Sequence, residues 1–315
     1  MQSNTRGIAM TETQSRSCMK SKKIITLGFA LKAWPLFLIL ASTAFGKEYP
    51  PNITGATVEK YKTVGDVSLT LWIFNPKDHK PTDKRAAILF FFGGGWTSGS
   101  PEQFEPQCKH LAELGMVAIT VDYRVGSRNN VKPVSCVADV KSAMRWVRSN
   151  AARLGIDPQR IAAGGGSAGG HLAACTAFIK DFNEPGEDSS VSAVPNALVL
   201  FNPALVLAPL DGYKFEGSGK RATEERFGTK PENISPAHHI QKGAPPTIIM
   251  HGKADTTVPY VTVEAFTAEM KKAGNSCELV GYEGASHGFF NSSKWSKDTI
   301  TQMDKFLKSL GYLKD

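Results

Sequence analysis

The chain has few residues of the kinds that build metal sites or disulfide frameworks. Its 315 residues include five cysteines and seven histidines, and no two cysteines have the close spacing of zinc ligands. Cys175 and Cys277 lie in apolar segments, which suits buried free thiols, whereas a bridge between Cys108 and Cys136 stays open if the protein is exported. The sequence therefore predicts no metal ion and no cofactor.

Signatures of nucleotide and nucleic-acid binding are also missing. The sequence has no G-x-x-x-x-G-K-[ST] phosphate loop, no internal repeat and no low-complexity segment. Its formal net charge is +8, but residues 1–46 hold six Lys and Arg and one acid, a net +5 that leaves +3 for the remainder. Because the basic balance lies largely in this leader, we expect no nucleic-acid partner.

The chain lacks an unbroken apolar run long enough for an ordinary membrane span. Residues 24–44 are mostly apolar, but Lys32 and Pro35 interrupt them, and a spanning helix needs about 20 such residues. A basic segment precedes this run at residues 19–23, and small residues follow it up to Gly46. This pattern predicts a removed signal peptide and a periplasmic or secreted protein. An uncleaved N-terminal anchor is the alternative.

The rest of the chain is long enough for one large domain with a well-buried core. We expect a leader at residues 1–46, with its signal peptide at Met19–Gly46, and a catalytic domain at residues 47–315. Within that domain, residues 202–244 form a long stretch rich in Gly, Pro and charge, which suggests a small cap over the functional site. We expect no stable membrane span after the leader is removed, and the oligomeric state stays open.

Strand-like and helix-like segments alternate through this domain. Two segments with a period of two begin it as an antiparallel pair. Apolar strands and helices then alternate, which predicts an α/β fold with a mostly parallel sheet and helices on both faces. The expected strands are Val58–Thr63, Val67–Phe74, Ala86–Phe92, Val117–Val121, Arg160–Ala163, Ala197–Phe201, Pro246–Met250 and Cys277–Tyr282. The expected helices are Gln103–Leu114, Val134–Leu154, His171–Ile179, Val261–Ala273 and Asp298–Leu310.

The most informative motif is the glycine-dense run 164–170, which has Ser167 at its centre. It follows a short apolar strand and precedes a helix, and residues 165–169 fit G-x-S-x-G, the nucleophile elbow. In such a turn the small flanking residues avoid collisions with the strand and the helix, and the serine hydroxyl stands clear at the end of the sheet. A glycine-rich phosphate-binding loop is the alternative. We expect Ser167 to be a catalytic nucleophile.

The partners of an elbow serine follow it along the chain in the order acid, then histidine. Asp255 and His287 each lie on a loop just after a predicted strand, where sites in open α/β sheets form. We expect His287 to take the serine proton and Asp255 to orient the imidazole. Glu283 is the alternative acid.

Other titratable residues near these segments are expected to have structural roles. Asp122 ends a predicted strand and precedes Tyr123 and Arg124, which suggests a salt bridge. His251 precedes the acid loop and is expected to shape it. His171 follows the nucleophile by four residues and is expected to pack under the site or to form a local hydrogen bond.

A second glycine run follows the apolar strand that ends at Phe92. A loop without side chains can present backbone N–H groups to a substrate oxygen, although a plain tight turn is the alternative. The expected oxyanion-hole donors are Gly94, Gly95 and Ala168, the residue after the nucleophile. Trp96 and Phe289, which adjoin these segments, are candidate substrate-binding residues.

Together these segments resemble the α/β-hydrolase fold and, within it, the hormone-sensitive-lipase-like esterases and their bacterial acetyl-esterase relatives. Two positions depart from that pattern: Phe92 stands where those esterases usually have histidine, and Gly166 where they often have aspartate. In this respect the chain is similar to a branch that includes feruloyl and acetyl-xylan esterases. The matching segments are Gly93–Trp96, Asp122–Arg124, the Ser167 elbow, the Asp255 loop and Ser286–Gly288.

The resemblance implies an exported serine carboxylesterase that hydrolyses short-chain acyl esters through an acyl-enzyme intermediate. Its expected partner is a small-molecule or carbohydrate ester, with acetyl groups on plant polysaccharide as one candidate. Arylformamidase or peptidase chemistry on the same triad, a triglyceride lipase and a non-catalytic binding protein on a hydrolase scaffold are the alternatives.

Overall fold

Eight strands form one sheet in the computed structural model, which describes residues 49–213 and 222–314. All of them belong to the unit Lys47–Asp315, and the predicted signal peptide lies outside the described residues. The strands are β1 (Thr57–Val64), β2 (Val67–Phe74), β3 (Arg85–Phe91), β4 (Val117–Val121), β5 (Ile156–Gly166), β6 (Ala197–Phe201), β7 (Thr247–Gly252) and β8 (Cys277–Tyr282).

The strand order across the sheet is β1-β2-β4-β3-β5-β6-β7-β8. β1 pairs with β2, and β2 with β4, in the antiparallel sense. Every other neighbouring pair is parallel. The carboxyl ends of β3 to β8 therefore lie at one edge, where loops can bring distant parts of the chain together. The predicted mostly parallel sheet is confirmed.

Helices cover both faces of the sheet. Within the described residues they are α1 (Glu105–Glu113), α2 (Gly126–Asn129), α3 (Pro133–Ser149), α4 (Ala168–Phe178), α5 (Glu224–Phe227), α6 (Tyr260–Lys272) and α7 (Ser293–Ser309). Residues of α3, α4 and α6 pack in the apolar cluster on one face of the sheet, and residues of α1 and α7 pack in the cluster on the other. Strands between two helical layers are buried on both sides and are therefore largely apolar, as in β3, which is apolar after Arg85.

The glycines before Ser167 belong to the strand, which the sequence analysis ended at Ala163. β5 continues to Gly166, and α4 begins at Ala168, earlier than predicted. Close packing explains the glycines: a Cβ added at Gly164 would lie 2.7 Å from the Phe90 ring. The strand therefore needs glycine to pack against its neighbour, and the turn itself is confined to Ser167.

The long connection from β6 to β7 contains α5 and two short 3-10 helices at Pro231–Ile234 and Pro236–His239. Phe227 of α5 is buried and packs edge-on against Trp96, with ring centroids 5.4 Å apart. Phe227 thus contributes to packing beside the glycine loop. The cap predicted at residues 202–244 remains a prediction, since residues 214–221 lie outside the described part of the chain.

The bridge that the sequence analysis left open between Cys108 and Cys136 does not form. All four cysteines of the described residues are buried free thiols. Cys108 belongs to the core on the α1 side of the sheet and Cys136 to the core on the α3 side. A disulfide joins Cα atoms about 4.4–6.8 Å apart, so an intervening sheet prevents this pairing. No helix within residues 49–213 and 222–314 has the length and apolar character to cross a bilayer.

Candidate active site

Ser167 occupies the sharp turn between β5 and α4. Its φ of 55° lies in the left-handed region, which costs a non-glycine residue on the order of 1–3 kcal/mol. Its neighbours show why only small residues fit: a Cβ at Gly165 would lie 2.5 Å from the Gly169 carbonyl group, and a Cβ at Gly169 would overlap the Phe91 carbonyl oxygen. The Ser167 N–H donates to the Phe201 carbonyl oxygen at 2.9 Å, which joins the turn to β6.

Ser167, His287 and Asp255 lie in one hydrogen-bonded series, although they are far apart in the sequence. The His287 Nε2 atom is 2.8 Å from Ser167 Oγ, and the His287 Nδ1 atom is 2.7 Å from Asp255 Oδ2. With the Nδ1–H donating to the carboxylate, Nε2 is free to accept the serine proton. The geometry therefore suits a nucleophile, a general base and an orienting acid.

Both carboxylate oxygens of Asp255 have hydrogen-bond donors. Oδ1 accepts from the Thr257 and Val258 N–H groups, both at 2.9 Å. Oδ2 lies 2.7 Å from His287 Nδ1 and 3.3 Å from His251 Nε2. Burial alone would raise the pKa of Asp255, but these donors outweigh it and hold the pKa below its usual range. The acid is therefore charged when an imidazolium forms beside it.

We call the loop that follows β3, residues 93–96, the oxyanion loop. It holds three consecutive residues in the left-handed region, with φ of 125° at Gly94, 63° at Gly95 and 61° at Trp96. The first two positions need glycine, since side chains rarely adopt that backbone. A Cβ added at Gly93 would lie 3.4 Å from Ser167 Cβ, so this loop passes directly beside the nucleophile.

Hydrogen bonds fix the start of the oxyanion loop and leave N–H groups available. The Tyr123 hydroxyl donates to the Phe92 carbonyl oxygen at 2.5 Å, and the Gly93 N–H donates to Gln103 Oε1 at 2.6 Å. By contrast, no N–H of the three predicted donors bonds to any residue that the structure describes. These donors are Gly94, Gly95 and Ala168. The loop and the first turn of α4 can thus offer N–H groups to a developing oxyanion.

Trp96 and Phe289, the two candidate substrate contacts, contribute chiefly to packing. Trp96 is 7% exposed and Phe289 is 4% exposed. Trp96 packs edge-on against His171, with ring centroids 5.1 Å apart, and its Nε1–H donates to His171 Nδ1 at 3.1 Å. Phe289 packs against Tyr282, with ring centroids 4.8 Å apart. Both side chains belong to the apolar core, and a contact of either with substrate stays a prediction.

The two other acids considered for the role of Asp255, Asp122 and Glu283, have different partners. Asp122 accepts a hydrogen bond from the Tyr49 hydroxyl and is 3.7 Å from the Arg128 guanidinium. The salt bridge suggested for it therefore involves Arg128 and not Arg124. Glu283 is largely exposed and pairs with Lys253 at 2.5 Å.

Two further residues, Gln103 and His251, support the site. The sequence predicts that Gln103 begins a helix. In the structure it lies in a 3-10 turn before α1, and its side-chain oxygen accepts a hydrogen bond from the Gly93 N–H. His251 was expected to shape the acid loop, and it does so from a fully buried position, 2.8 Å from the Val258 carbonyl oxygen. The sequence marks His251 because it is a polar residue inside the apolar β7 segment. No sequence pattern marks Gln103.

Comparison with known proteins assigns the family. A model of the BD-FAE family matches residues 71–270. The chain belongs to the BD-FAE family. That match contains Ser167 and Asp255, together with the whole oxyanion loop.

In the described residues, no cluster of three or more His, Cys, Asp or Glu side chains is arranged to hold a metal ion.

Solved and curated esterases are similar to this BD-FAE chain. The apo form of Thermogutta terrifontis esterase 2 is 54% identical with a TM-score of 0.80, and the match covers 85% of this chain and 99% of that one. Esterase LipC of Mycobacterium tuberculosis is 30% identical over 240 residues, which are 71% of this chain and 58% of LipC. The probable carboxylic ester hydrolase LipM of the same organism is 30% identical over 201 residues, 59% of this chain and 45% of LipM.

These similarities confirm the predicted α/β-hydrolase fold and its resemblance to esterases. This chain spans about half the length of the curated relatives it matches. The solved esterase, by contrast, is matched over nearly its whole length.

Proposed function

We propose that this protein is a carboxylic ester hydrolase that acts through an acyl-enzyme intermediate on Ser167. The observation that carries the proposal is the hydrogen-bonded series Ser167–His287–Asp255 beside a loop whose Gly94 and Gly95 N–H groups bond to no residue that the structure describes. A nucleophile, a base and an oxyanion site within reach of one carbonyl group are the requirements for acyl transfer.

In the first step, Ser167 Oγ attacks the ester carbonyl carbon while its proton passes to His287 Nε2. The carbonyl oxygen becomes an oxyanion, which accepts hydrogen bonds from Gly94, Gly95 and Ala168; each such donor contributes roughly 2.7–4 kcal/mol in comparable sites. When the intermediate collapses, the bond to the alcohol oxygen breaks and His287 gives its proton to that oxygen.

In the second step, water replaces the alcohol. The water oxygen attacks the acyl carbon while His287 takes a proton from the water. His287 then returns a proton to Ser167 Oγ as the acid leaves. Asp255 stabilises the imidazolium in both steps and keeps the tautomer correct. No step requires a group from outside the chain apart from ester and water.

The acyl group that we propose is short. Thermogutta terrifontis esterase 2, which shares 54% of its residues with this chain, has been solved with propionate bound and with butyrate bound. Acetyl groups on plant polysaccharide are one natural form of such esters, and the resemblance of the sequence to acetyl-xylan and feruloyl esterases, together with the expected export, favours them. The proposal of export depends on the predicted signal peptide in the leader. Mass spectrometry of the N-terminal residue of the mature protein tests it.

A series of nitrophenyl esters tests the reaction and the chain length together. We expect kcat/KM to be highest for acetate to butyrate and to fall steeply by octanoate, with no turnover by Ser167→Ala. The matching anilides and an aryl formamide should react far more slowly than the esters. A preference for octanoate would contradict the proposal of a short acyl group. Faster turnover of the anilide or the formamide would show that amide hydrolysis, and not ester hydrolysis, is the main reaction.

A further inference from the structure

We propose that His171 is a positioning residue that holds the oxyanion loop against the nucleophile helix α4 through the indole of Trp96. This inference rests on the proposed ester hydrolysis, and it concerns how the oxyanion site keeps its shape. The His171 backbone N–H donates to the Ser167 carbonyl oxygen at 3.0 Å, in the first turn of α4. The described polar partners of its side chain are Trp96, Ile234 and Cys175.

The oxyanion loop needs such support because its backbone is strained. Gly94 and Gly95 tolerate the left-handed region, but Trp96 has φ of 61° and carries a large side chain. A non-glycine residue keeps that conformation only where its surroundings enforce it. The contacts of Trp96 must therefore supply the free energy that its backbone loses.

Besides its ring contacts with Phe227 and Arg226, Trp96 forms two hydrogen bonds to other elements. Its carbonyl oxygen accepts from the Gly126 N–H at 2.9 Å, and its indole Nε1–H donates to His171 Nδ1 at 3.1 Å. The first contact joins the loop to α2. The second joins it to α4, four residues after Ser167, so that the loop and the nucleophile share one rigid element. Because Trp96 follows Gly95 directly, a shift of the indole would carry the Gly95 N–H with it.

A second hydrogen bond gives His171 the tautomer that this role requires. His171 Nε2 lies 2.7 Å from the Ile234 carbonyl oxygen, and a carbonyl oxygen can only accept, so the proton is on Nε2. Nδ1 then carries the lone pair that accepts from Trp96. His171 is fully buried, and burial lowers its pKa to about 4. The imidazole is therefore neutral at neutral pH and keeps both bonds.

The test uses three substitutions in the full chain. Trp96→Phe removes only the indole donor and keeps an aromatic ring. His171→Asn places Oδ1 close to the former Nδ1 and keeps an acceptor for Trp96, whereas His171→Gln extends its amide toward the former Nε2 and keeps the contact with Ile234 instead. The control is His110→Asn, since His110 lies on α1 and pairs with Asp304 of α7.

Active sites are first titrated with a fluorophosphonate, and kcat for nitrophenyl acetate is expressed per titrated site. We expect Trp96→Phe and His171→Gln to lower this kcat roughly 10- to 100-fold with little change in KM. His171→Asn should restore most of it, and the double variant Trp96→Phe with His171→Gln should lose no more than either single variant. His110→Asn should match the wild type.

A transition-state analogue reports on the oxyanion site itself. A trifluoromethyl ketone adds to Ser167 and places an oxyanion in the same hole, so its Ki should rise by the factor by which kcat/KM falls. A role in general stability would instead reduce the number of titrated sites and leave kcat per site unchanged.

The proposal is overturned if Trp96→Phe, which needs no change at His171, keeps wild-type kcat per site. It is also overturned if His171→Gln is as active as His171→Asn. Failure of the proposed function looks different, because then the wild type would neither react with the fluorophosphonate nor hydrolyse the ester.

Discussion

At the scale of single residues, two buried carboxylates show how local donors set their chemistry. Asp255 has donors at both oxygens, and its pKa lies below the usual range despite burial. Asp122 is as well buried, but burial outweighs its contacts with Tyr49 and Arg128 and raises its pKa to about 6. The carboxylate with the lowered pKa is the one that meets His287, as stabilisation of an imidazolium requires.

Substitution of these two residues separates their roles. We expect Asp255→Asn to lower kcat at neutral pH by about 10⁴-fold, because an amide at this position no longer favours the imidazole tautomer with Nε2 unprotonated. Asp122→Asn is the matched control and should keep kcat near the wild-type value. Steady-state kinetics on nitrophenyl acetate measures both, and the reverse order of activities would assign the acid role to Asp122.

At the scale of elements, α4 lies unusually close to β3. A Cβ at Gly169 would overlap the carbonyl oxygens of Phe91 and Phe92, and a Cβ at Gly170 would lie 2.8 Å from Pro203 Cβ. Glycine in a helix interior ordinarily costs stability. Here it allows the helix and the strand to approach until the elbow and the oxyanion loop are side by side.

Gly169→Ala should therefore separate α4 from β3. We expect it to lower the free energy of unfolding by about 3 kcal/mol, the upper end of the usual cost of overpacking, and to abolish most of the ester hydrolysis. Gly126→Ala is the control, since a Cβ there meets nothing nearer than 3.5 Å. Urea unfolding measures the difference, and equal stability of the two variants would show that α4 has room to move.

The buried His171 of α4 makes the free energy of unfolding depend on pH. Its pKa is about 4 in the folded protein and near 6.5 in an unfolded chain, so between these values the unfolded state binds more protons. The free energy of unfolding must then fall as the pH falls from about 6.5 to about 4. His171→Asn removes this contribution, on the order of 3 kcal/mol. Urea unfolding at several pH values measures it, and parallel curves for variant and wild type would contradict the buried neutral imidazole.

At the scale of the whole molecule, the sheet separates Cys108 from the other three cysteines of the described residues. We expect the melting temperature to be the same with and without dithiothreitol, and Cys108, Cys136, Cys175 and Cys277 to resist Ellman's reagent until the protein unfolds. Burial raises the pKa of each thiol, to about 11 for Cys277, which removes the reactive thiolate. A peptide that links Cys108 and Cys136 after non-reducing digestion would contradict this arrangement.

The sequence predicts the sheet and the chain order of the site because both depend on local patterns. Apolar runs mark β3 and β6, and the elbow motif marks Ser167, since glycine and small residues are needed in that turn whatever surrounds it. The His171 side chain bonds to Trp96 and Ile234, which lie 75 and 63 residues away in the chain, so these contacts follow from tertiary packing that no local pattern encodes. The hydrogen bond between Gly93 and Gln103 depends on tertiary packing in the same way. His251 bonds instead to Val258 of the loop that follows it, and the sequence could therefore predict its role in shaping that loop. Trp96 shows the same limit, because its place beside the glycine loop is visible in the sequence, whereas its packing against His171 and Phe227 is not.

The most direct test of the account is the site of covalent phosphorylation by paraoxon, a reagent that phosphorylates Thermogutta terrifontis esterase 2. Mass spectrometry of digested protein should find the diethylphosphoryl group on the peptide that contains Ser167. The adduct should be absent from Ser167→Ala and should form at least about 10³-fold more slowly in His287→Ala. An adduct on another residue, or equal rates with and without His287, would contradict the claim that His287 activates Ser167 as the nucleophile.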